Sequence, residues 1–175
     1  MKRIFTFFLA ACMALGMAAQ EHLKFMDIPI DGTIDQFQKK LEAKGLTFNE
    51  EMTRAAIDNT RVFQGVFFDS YSADYNVSFD ESTKNVYRVY VSIFLPTREL
   101  REQAYNALKQ KFIQQYGSGE TGDNGEHESK GWTVKSAGGD VLGSIELYIF
   151  PHPDVYAVRV FYTDNENYIR FLGLE

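Results

Sequence analysis

Apolar and polar residues alternate without a break from residue 71 to residue 79. Tyr71, Ala73, Tyr75, Val77 and Phe79 take the odd positions, and small or polar residues take the even ones. Because successive side chains of a β-strand point to opposite faces of a sheet, this pattern predicts a strand with one buried and one solvated face. Other elements of the chain must cover the buried face.

Two further strands flank this one. Residues 62–68 precede it across a tight turn near Asp69 and Ser70, and residues 87–95 follow it. The residues predicted to face the core in the third strand are Tyr87, Val89, Val91, Ile93 and Leu95. Three consecutive antiparallel strands, a meander, are the simplest arrangement.

A second set of three strands is predicted near residues 130–136, 141–150 and 155–163. It follows a polar, glycine-rich stretch at residues 118–128, which we expect to be a loop. Trp132 in the first of these strands is predicted to belong to the core.

A helix precedes each set of strands. Thr33 with Gln36 three residues later predicts a capping box that opens a helix over about residues 33–44. Thr97 is expected to cap a second helix that ends at Gly117. The apolar stripes are Ile34, Phe37 and Leu41 in the first helix and Leu100, Ala104, Leu108, Phe112 and Tyr116 in the second. A short third helix is expected after Asp164.

The resulting fold class is α+β, a tandem helix-plus-antiparallel-meander (αβββ-αβββ) with the helices packed on one face of the sheet. Residues 20–175 are long enough to form a single domain with one core. An internal duplication would divide that domain into halves at residues 22–95 and 96–175.

The pattern HLKF-x-x-IPIDGT at residues 22–33 carries a resemblance. Together with residues 34–45, 63–67, 86–97 and 105–117 it resembles a family of functionally uncharacterised exported proteins of Bacteroidales bacteria. The resemblance implies an α+β fold and a cell-envelope or secreted location, and no functional residues. The order of helix and meander is also similar to β-lactamase-inhibitor-like envelope domains, a fold analogy that does not imply function.

Residues 1–19 are predicted to be a cleavable signal peptide. Lys2 and Arg3 precede an apolar or small-residue run at residues 4–17, and small residues follow at the expected cleavage site. The protein is therefore expected to be exported, either to the periplasm or to the medium, without a transmembrane segment. A lipid anchor on Cys12, which follows Leu9, Ala10 and Ala11, is an alternative.

Charge and cysteine content narrow the classes of partner. Cleavage reduces the 18 basic residues to 16 by removing Lys2 and Arg3, and against 24 acidic residues the mature charge is −8. This excess of acid argues against nucleic acid and anionic membranes as partners. The chain contains 1 cysteine, inside the predicted signal, so the mature domain is expected to have neither disulfides nor thiol chemistry.

Several patterns could be mistaken for sites. Gly117, Gly119 and Gly122 form a G-x-G-x-x-G that follows a helix instead of a strand, the wrong context for a dinucleotide. The same stretch contains four candidate cation ligands, Asp123, Glu126, His127 and Glu128. They lack the spacing of a calcium loop. The three histidines, His22, His127 and His152, have no metal-site spacing. We therefore assign no catalytic, cofactor or metal residue.

The outward side of the predicted strands is the candidate binding surface. Strand alternation places six aromatic and charged residues there, Arg88, Tyr90, Phe94, Glu146, Tyr148 and Phe150, together with the flanking Val86, Ser92, Leu142 and Ser144. Exposed aromatic residues among charges are typical of a contact surface for a protein or a glycan. A second layer covering this side is the competing interpretation, and an envelope hydrolase with acidic residues from different strands is the alternative function. The sequence assigns no oligomeric state.

Protein isolated from its native host should begin near Gln20 and carry no acyl chain, because the apolar run continues past Cys12 to Met17. Intact-mass spectrometry checks both points. A diacylated or triacylated cysteine at the N-terminus would instead establish membrane anchoring.

Overall fold

The computed structural model describes residues 21–57, 59–123 and 128–174. The predicted signal peptide and Cys12 lie outside the described residues, as do the four side chains of the candidate cation loop. The described elements follow in the order β1 (Lys24–Phe25), β2 (Ile28–Pro29), α1 (Ile34–Ala43), β3 (Thr47–Phe48), α2 (Glu50–Ala55), β4 (Thr60–Phe67), β5 (Tyr71–Phe79), β6 (Val86–Phe94), α3 (Arg98–Tyr116), β7 (Glu120–Asp123), β8 (Glu128–Lys135), β9 (Val141–Ile149), β10 (Ala157–Asp164) and α4 (Asn165–Phe171).

Eight strands form one antiparallel sheet in the order β3-β4-β5-β6-β10-β9-β8-β7, and β1 and β2 form a separate hairpin. The meander β4-β5-β6 follows α1, and the meander β8-β9-β10 follows α3. The last strands of the two meanders, β6 and β10, pair antiparallel at the centre of the sheet. The predicted α+β fold, mostly antiparallel, is confirmed.

Local signals start and stop the two long helices as predicted. Thr33 and Gln36 exchange both hydrogen bonds of the capping box at the start of α1. The Thr97 hydroxyl accepts from the Leu100 backbone N–H, and Gly117 ends α3 at a φ of 88°. That φ lies in the left-handed region, which glycine enters without steric cost.

The core lies between these two helices and one face of the sheet. Phe37 and Leu41 of α1 and Leu108 and Phe112 of α3 are completely buried against it. Trp132 is in the core, as predicted, and its indole Nε1 donates to the Gly117 carbonyl oxygen at 2.9 Å. We call the opposite side of the sheet the outward face.

Strand alternation fails at two β-bulges. The pairing register of β5 and β6 shifts so that Phe79 lies opposite Val86 and Ser78 opposite Arg88. The extra residue, Tyr87, therefore lies outside the core and stacks on Phe171 of α4 at 4.3 Å, while Val86 is buried. The predictions that Tyr87 faces the core and Val86 faces outward were wrong. The extra residue of a bulge reverses the alternation between the two faces for the residues on one side of it.

A second bulge, between Val134 and Lys135, changes the position of Leu142. This residue was predicted to face outward, but it packs half-buried against the core.

Three other expectations need correction. The predicted loop at residues 118–128 begins with an edge strand, because β7 pairs with β8. The short elements β3 and α2 were not predicted. Not all helices lie on one face of the sheet. The helix α2 covers Val62 on the outward face, near the edge of the sheet, and the Val62 backbone N–H donates to Thr53 Oγ1 of α2. The ring of Tyr168 in α4 likewise lies on the outward side, beneath the guanidinium of Arg88 at 4.9 Å.

The HLKF-x-x-IPIDGT segment closes one end of the core. Asp164, completely buried, accepts from the Leu23 backbone N–H at 2.9 Å, contacts His22 Nδ1 at 3.2 Å and caps α4 through the Asn167 N–H. The Asn167 side chain donates to the Ile30 carbonyl oxygen at 2.9 Å. The segment with the most distinctive sequence pattern therefore connects the first described residues to the end of β10 and to α4.

Replacing Phe37 or Leu108 with Ala should lower the free energy of unfolding by about 2 to 5 kcal/mol, because each side chain is fully buried and its removal leaves a cavity. Denaturant titration measures the loss. Lys39→Ala, on the exposed side of α1, is the matched control and should change stability by less than about 0.5 kcal/mol. Equal midpoints for Phe37→Ala and this control would refute the assigned core.

Tyr75 should give the protein a stability that falls in strong alkali. Burial raises the pKa of its phenol from 10.0 to about 12, and no described residue forms a hydrogen bond with its hydroxyl. The neutral phenol is favoured in the folded state, so its contribution to stability is complete below pH 10 and is lost as the pH rises to 12. Tyr75→Phe should flatten this decline and be neutral or stabilising at pH 7. Thermal midpoints between pH 7 and 12 test both effects, and a destabilised Tyr75→Phe at pH 7 would show a missed hydrogen bond.

Candidate functional site

All six candidate binding residues lie on the outward face. The register sets Arg88 opposite Thr163, Tyr90 opposite Phe161 and Phe94 opposite Ala157 in the central pair of strands. On β9, Glu146 lies opposite Phe161 and Tyr148 opposite Arg159. Phe150 directly follows β9, and its backbone N–H donates to the Ala157 carbonyl oxygen.

Three aromatic rings form a ladder across the centre of this face. Tyr90 on β6 stacks on Phe161 of β10 with ring centroids 5.1 Å apart, and Phe161 stacks on Tyr148 of β9 at 5.5 Å. The ring planes deviate by only 18° and 14°. Adjacent strands are about 4.8 Å apart, so rings that stand upright on neighbouring strands meet face to face. We call Tyr90, Phe161 and Tyr148 the aromatic ladder.

Two arginines flank the ladder. The Arg88 Nε donates to Thr163 Oγ1 at 3.1 Å, and its guanidinium lies 5.8 Å from the centre of the Phe161 ring. The Arg159 guanidinium lies 3.8 Å from the centre of the Phe150 ring. Neither forms an ion pair with a carboxylate of the described residues. Aromatic contacts thus orient both cations and leave their charge available for a ligand.

The surroundings of Tyr90 keep its phenol neutral. Burial raises the pKa of the Tyr90 phenol, and the Arg159 charge opposes part of that rise. The phenol of Tyr90 is therefore a neutral hydrogen-bond donor across the physiological range. Asp74 and Glu146 lie on the same face, and the Asp74 carboxylate accepts from Gln64 Nε2 at 2.9 Å.

The structure joins four of the six candidates into one cluster: Arg88, Tyr90, Tyr148 and Phe150 are linked through Phe161 and Arg159. Phe94 and Glu146 lie at its margin, and Phe94 is 54% exposed. Sequence reasoning missed Phe161 and Arg159. Alternation on β10 carried the signal, because Val158, Val160 and Tyr162 are buried and the residues between them face outward.

The other patterns have structural roles. The Gly117 carbonyl oxygen accepts the hydrogen bond from Trp132 Nε1, and a Cβ on Gly119 would lie 2.6 Å from the same indole nitrogen. His152 lies in the β9–β10 turn, where its Nδ1 accepts from the Asp154 N–H. Within the part of the chain that the structure describes, no group of His, Cys, Asp or Glu side chains is arranged to hold a metal ion. No described helix is long and apolar enough to cross a membrane.

Compared with models of known families, with curated proteins and with solved structures, the chain matches none of them. What its outward face can bind is therefore inferred from the residues of that face.

Proposed function

We propose that the protein is an exported, non-catalytic interaction domain that binds another protein through its outward face. The observation that carries this proposal is the aromatic ladder flanked by Arg88 and Arg159, on a part of the sheet that α1 and α3 leave uncovered. Tyrosine and arginine are enriched among the residues that dominate binding energy in protein interfaces. Export rests on the signal-like residues 1–19.

The ladder geometry favours a protein over a glycan. A sugar ring stacks on the free flat face of an aromatic side chain, whereas both faces of Phe161 are covered by Tyr90 and Tyr148. The central ring of the ladder therefore offers only its edge to a partner, and the two outer residues add phenol hydroxyls. Such a surface suits apolar side chains and hydrogen-bonding groups of a protein.

The two arginines define the chemistry of that protein. Arg88 lies opposite Thr163, which is four residues from Arg159 along β10, so the two arginines are separated by about 13 Å with Phe161 between them. Guanidinium groups form their strongest hydrogen bonds with carboxylates. The partner surface should therefore carry carboxylates at both ends of an apolar patch.

The hydrolase alternative finds less support on this face. Its carboxylates, Asp74 on β5 and Glu146 on β9, are three strand spacings apart, about 14 Å. Carboxylate pairs of glycosidases lie about 5 to 9.5 Å apart. Binding is the better explanation for the residues present.

Replacing Tyr90 and Tyr148 with Ala should weaken binding of the partner by about 1 to 3 kcal/mol, because interface aromatics lose their contact area on truncation. Stability should fall by no more than about 1 kcal/mol, since both side chains lie outside the core. The partner is first captured from envelope extract with the wild-type protein, identified, and then titrated against each variant. A large drop in thermal midpoint with unchanged affinity would refute a binding face.

Arg159→Ala should weaken the same complex and reduce its salt dependence, because a charge-assisted contact is lost. Arg98→Ala is the matched control: Arg98 is exposed at the start of α3, on the other side of the sheet. Equal effects of the two substitutions would show that net charge alone, and not the outward face, controls binding.

A further inference from the structure

A cavity of about 800 Å³ lies on the helix side of the sheet, away from the aromatic ladder. It is bounded by the β1–β2 hairpin, the β4–β5 turn and the end of α3. Five aromatic residues line it, Phe25, Phe67, Phe68, Tyr116 and Tyr162. Its volume is within the range of about 300 to 1,000 Å³ that is typical of small-molecule sites. We call it the aromatic cavity.

Two unusual turns border the aromatic cavity. Met26 and Asp27 join β1 to β2 with φ of 51° and 64°, and Phe68 and Asp69 have φ of 49° and 55° in the three-residue turn between β4 and β5. A two-residue hairpin turn with positive φ at both positions, such as that of Met26 and Asp27, normally uses Asn-Gly or Asp-Gly. All four of these residues line the cavity. Positive φ at non-glycine residues is a form of backbone strain, and such strain clusters at ligand sites in other proteins. Here the side chains of the two turns form part of the cavity wall.

Tyr162 supplies a polar group in that wall. The residue is only 5% exposed and lines the cavity. Burial, with the nearby Tyr116 and Tyr75, raises the pKa of this phenol well above its usual value, so the hydroxyl stays protonated. A protonated phenol in a cavity wall can donate a hydrogen bond to a hydroxyl or carbonyl group of a ligand.

The charges at the mouth restrict the ligand. Glu21, Asp27, Asp31 and Asp69 line it together with a single lysine, Lys24. Lys44 lies 3.6 Å from the Asp27 carboxylate, an exposed pair. The four carboxylates disfavour an anion, and an aromatic wall favours an apolar body.

We propose that the aromatic cavity binds a small neutral molecule that has an aromatic or aliphatic ring and one hydroxyl or carbonyl group, which forms a hydrogen bond with the Tyr162 hydroxyl. This site is separate from the outward face and does not depend on the proposed protein partner.

The test compares p-cresol with toluene, which differ by one hydroxyl, in titrations of the wild-type protein and of Tyr162→Phe. p-Cresol should bind about tenfold more weakly to Tyr162→Phe, the equivalent of one hydrogen bond, while the affinity for toluene stays the same. Tyr148→Phe removes a phenol from the outward face and is the matched control, with no expected change for either probe.

Val134→Trp should fill the cavity wall and abolish binding of both probes. Chemical-shift changes confined to cavity residues would support the location, and unchanged circular dichroism would show that each variant is folded. The proposal is overturned if neither probe binds the wild-type protein, if Tyr162→Phe weakens both probes equally, or if p-toluate, an anion, binds as well as p-cresol.

Discussion

The pairing of β6 with β10 is the contact on which the rest of the fold depends. Each meander has an edge that would otherwise expose unpaired backbone groups, and the two edges satisfy one another along Arg88–Phe94 and Ala157–Thr163. Joining them aligns the apolar sides of both halves, so that α1 and α3 cover a single core. The same pairing aligns the polar sides, which brings Tyr90 beside Phe161 and creates the aromatic ladder.

A second constraint closes the end of this sheet. Asp164, at the end of β10, accepts a hydrogen bond from the Leu23 backbone N–H and caps α4. A buried carboxylate is tolerated only when such donors surround it. This arrangement holds the N-terminal hairpin over the core. Phe25 of the hairpin packs against Tyr162 with ring centroids 5.0 Å apart, and the aromatic cavity lies between the hairpin, the β4–β5 turn and the end of α3.

The two faces of the sheet therefore offer two different kinds of surface. The outward face is broad, carries two arginines that form no ion pair with a described carboxylate, and suits a protein. The aromatic cavity is concave, has the Tyr162 phenol in its wall and suits a small molecule.

Much of the architecture could be predicted from local patterns. Thr33, Thr97 and Asp164 were recognised as helix starts because a cap acts over three residues, and the strands were recognised because alternation repeats every two. The outward position of Arg88, Tyr90, Tyr148 and their neighbours followed from the same period. Tyr87, Val86 and Leu142 were misplaced, since a bulge is a feature of pairing and leaves no clear mark within one strand.

The sequence by itself thus determined the order and type of the main elements, their caps and the side of the sheet that most residues face, because these depend on neighbours a few positions apart. Only the tertiary structure decided which strands pair, where bulges fall and which side chains meet. Arg88 and Thr163 are 75 positions apart and His22 and Asp164 are 142 apart, and such contacts depend on register and packing across the whole chain. The ladder, with Phe161 at its centre, and the cavity, with Tyr162 in its wall, are both products of that long-range pairing.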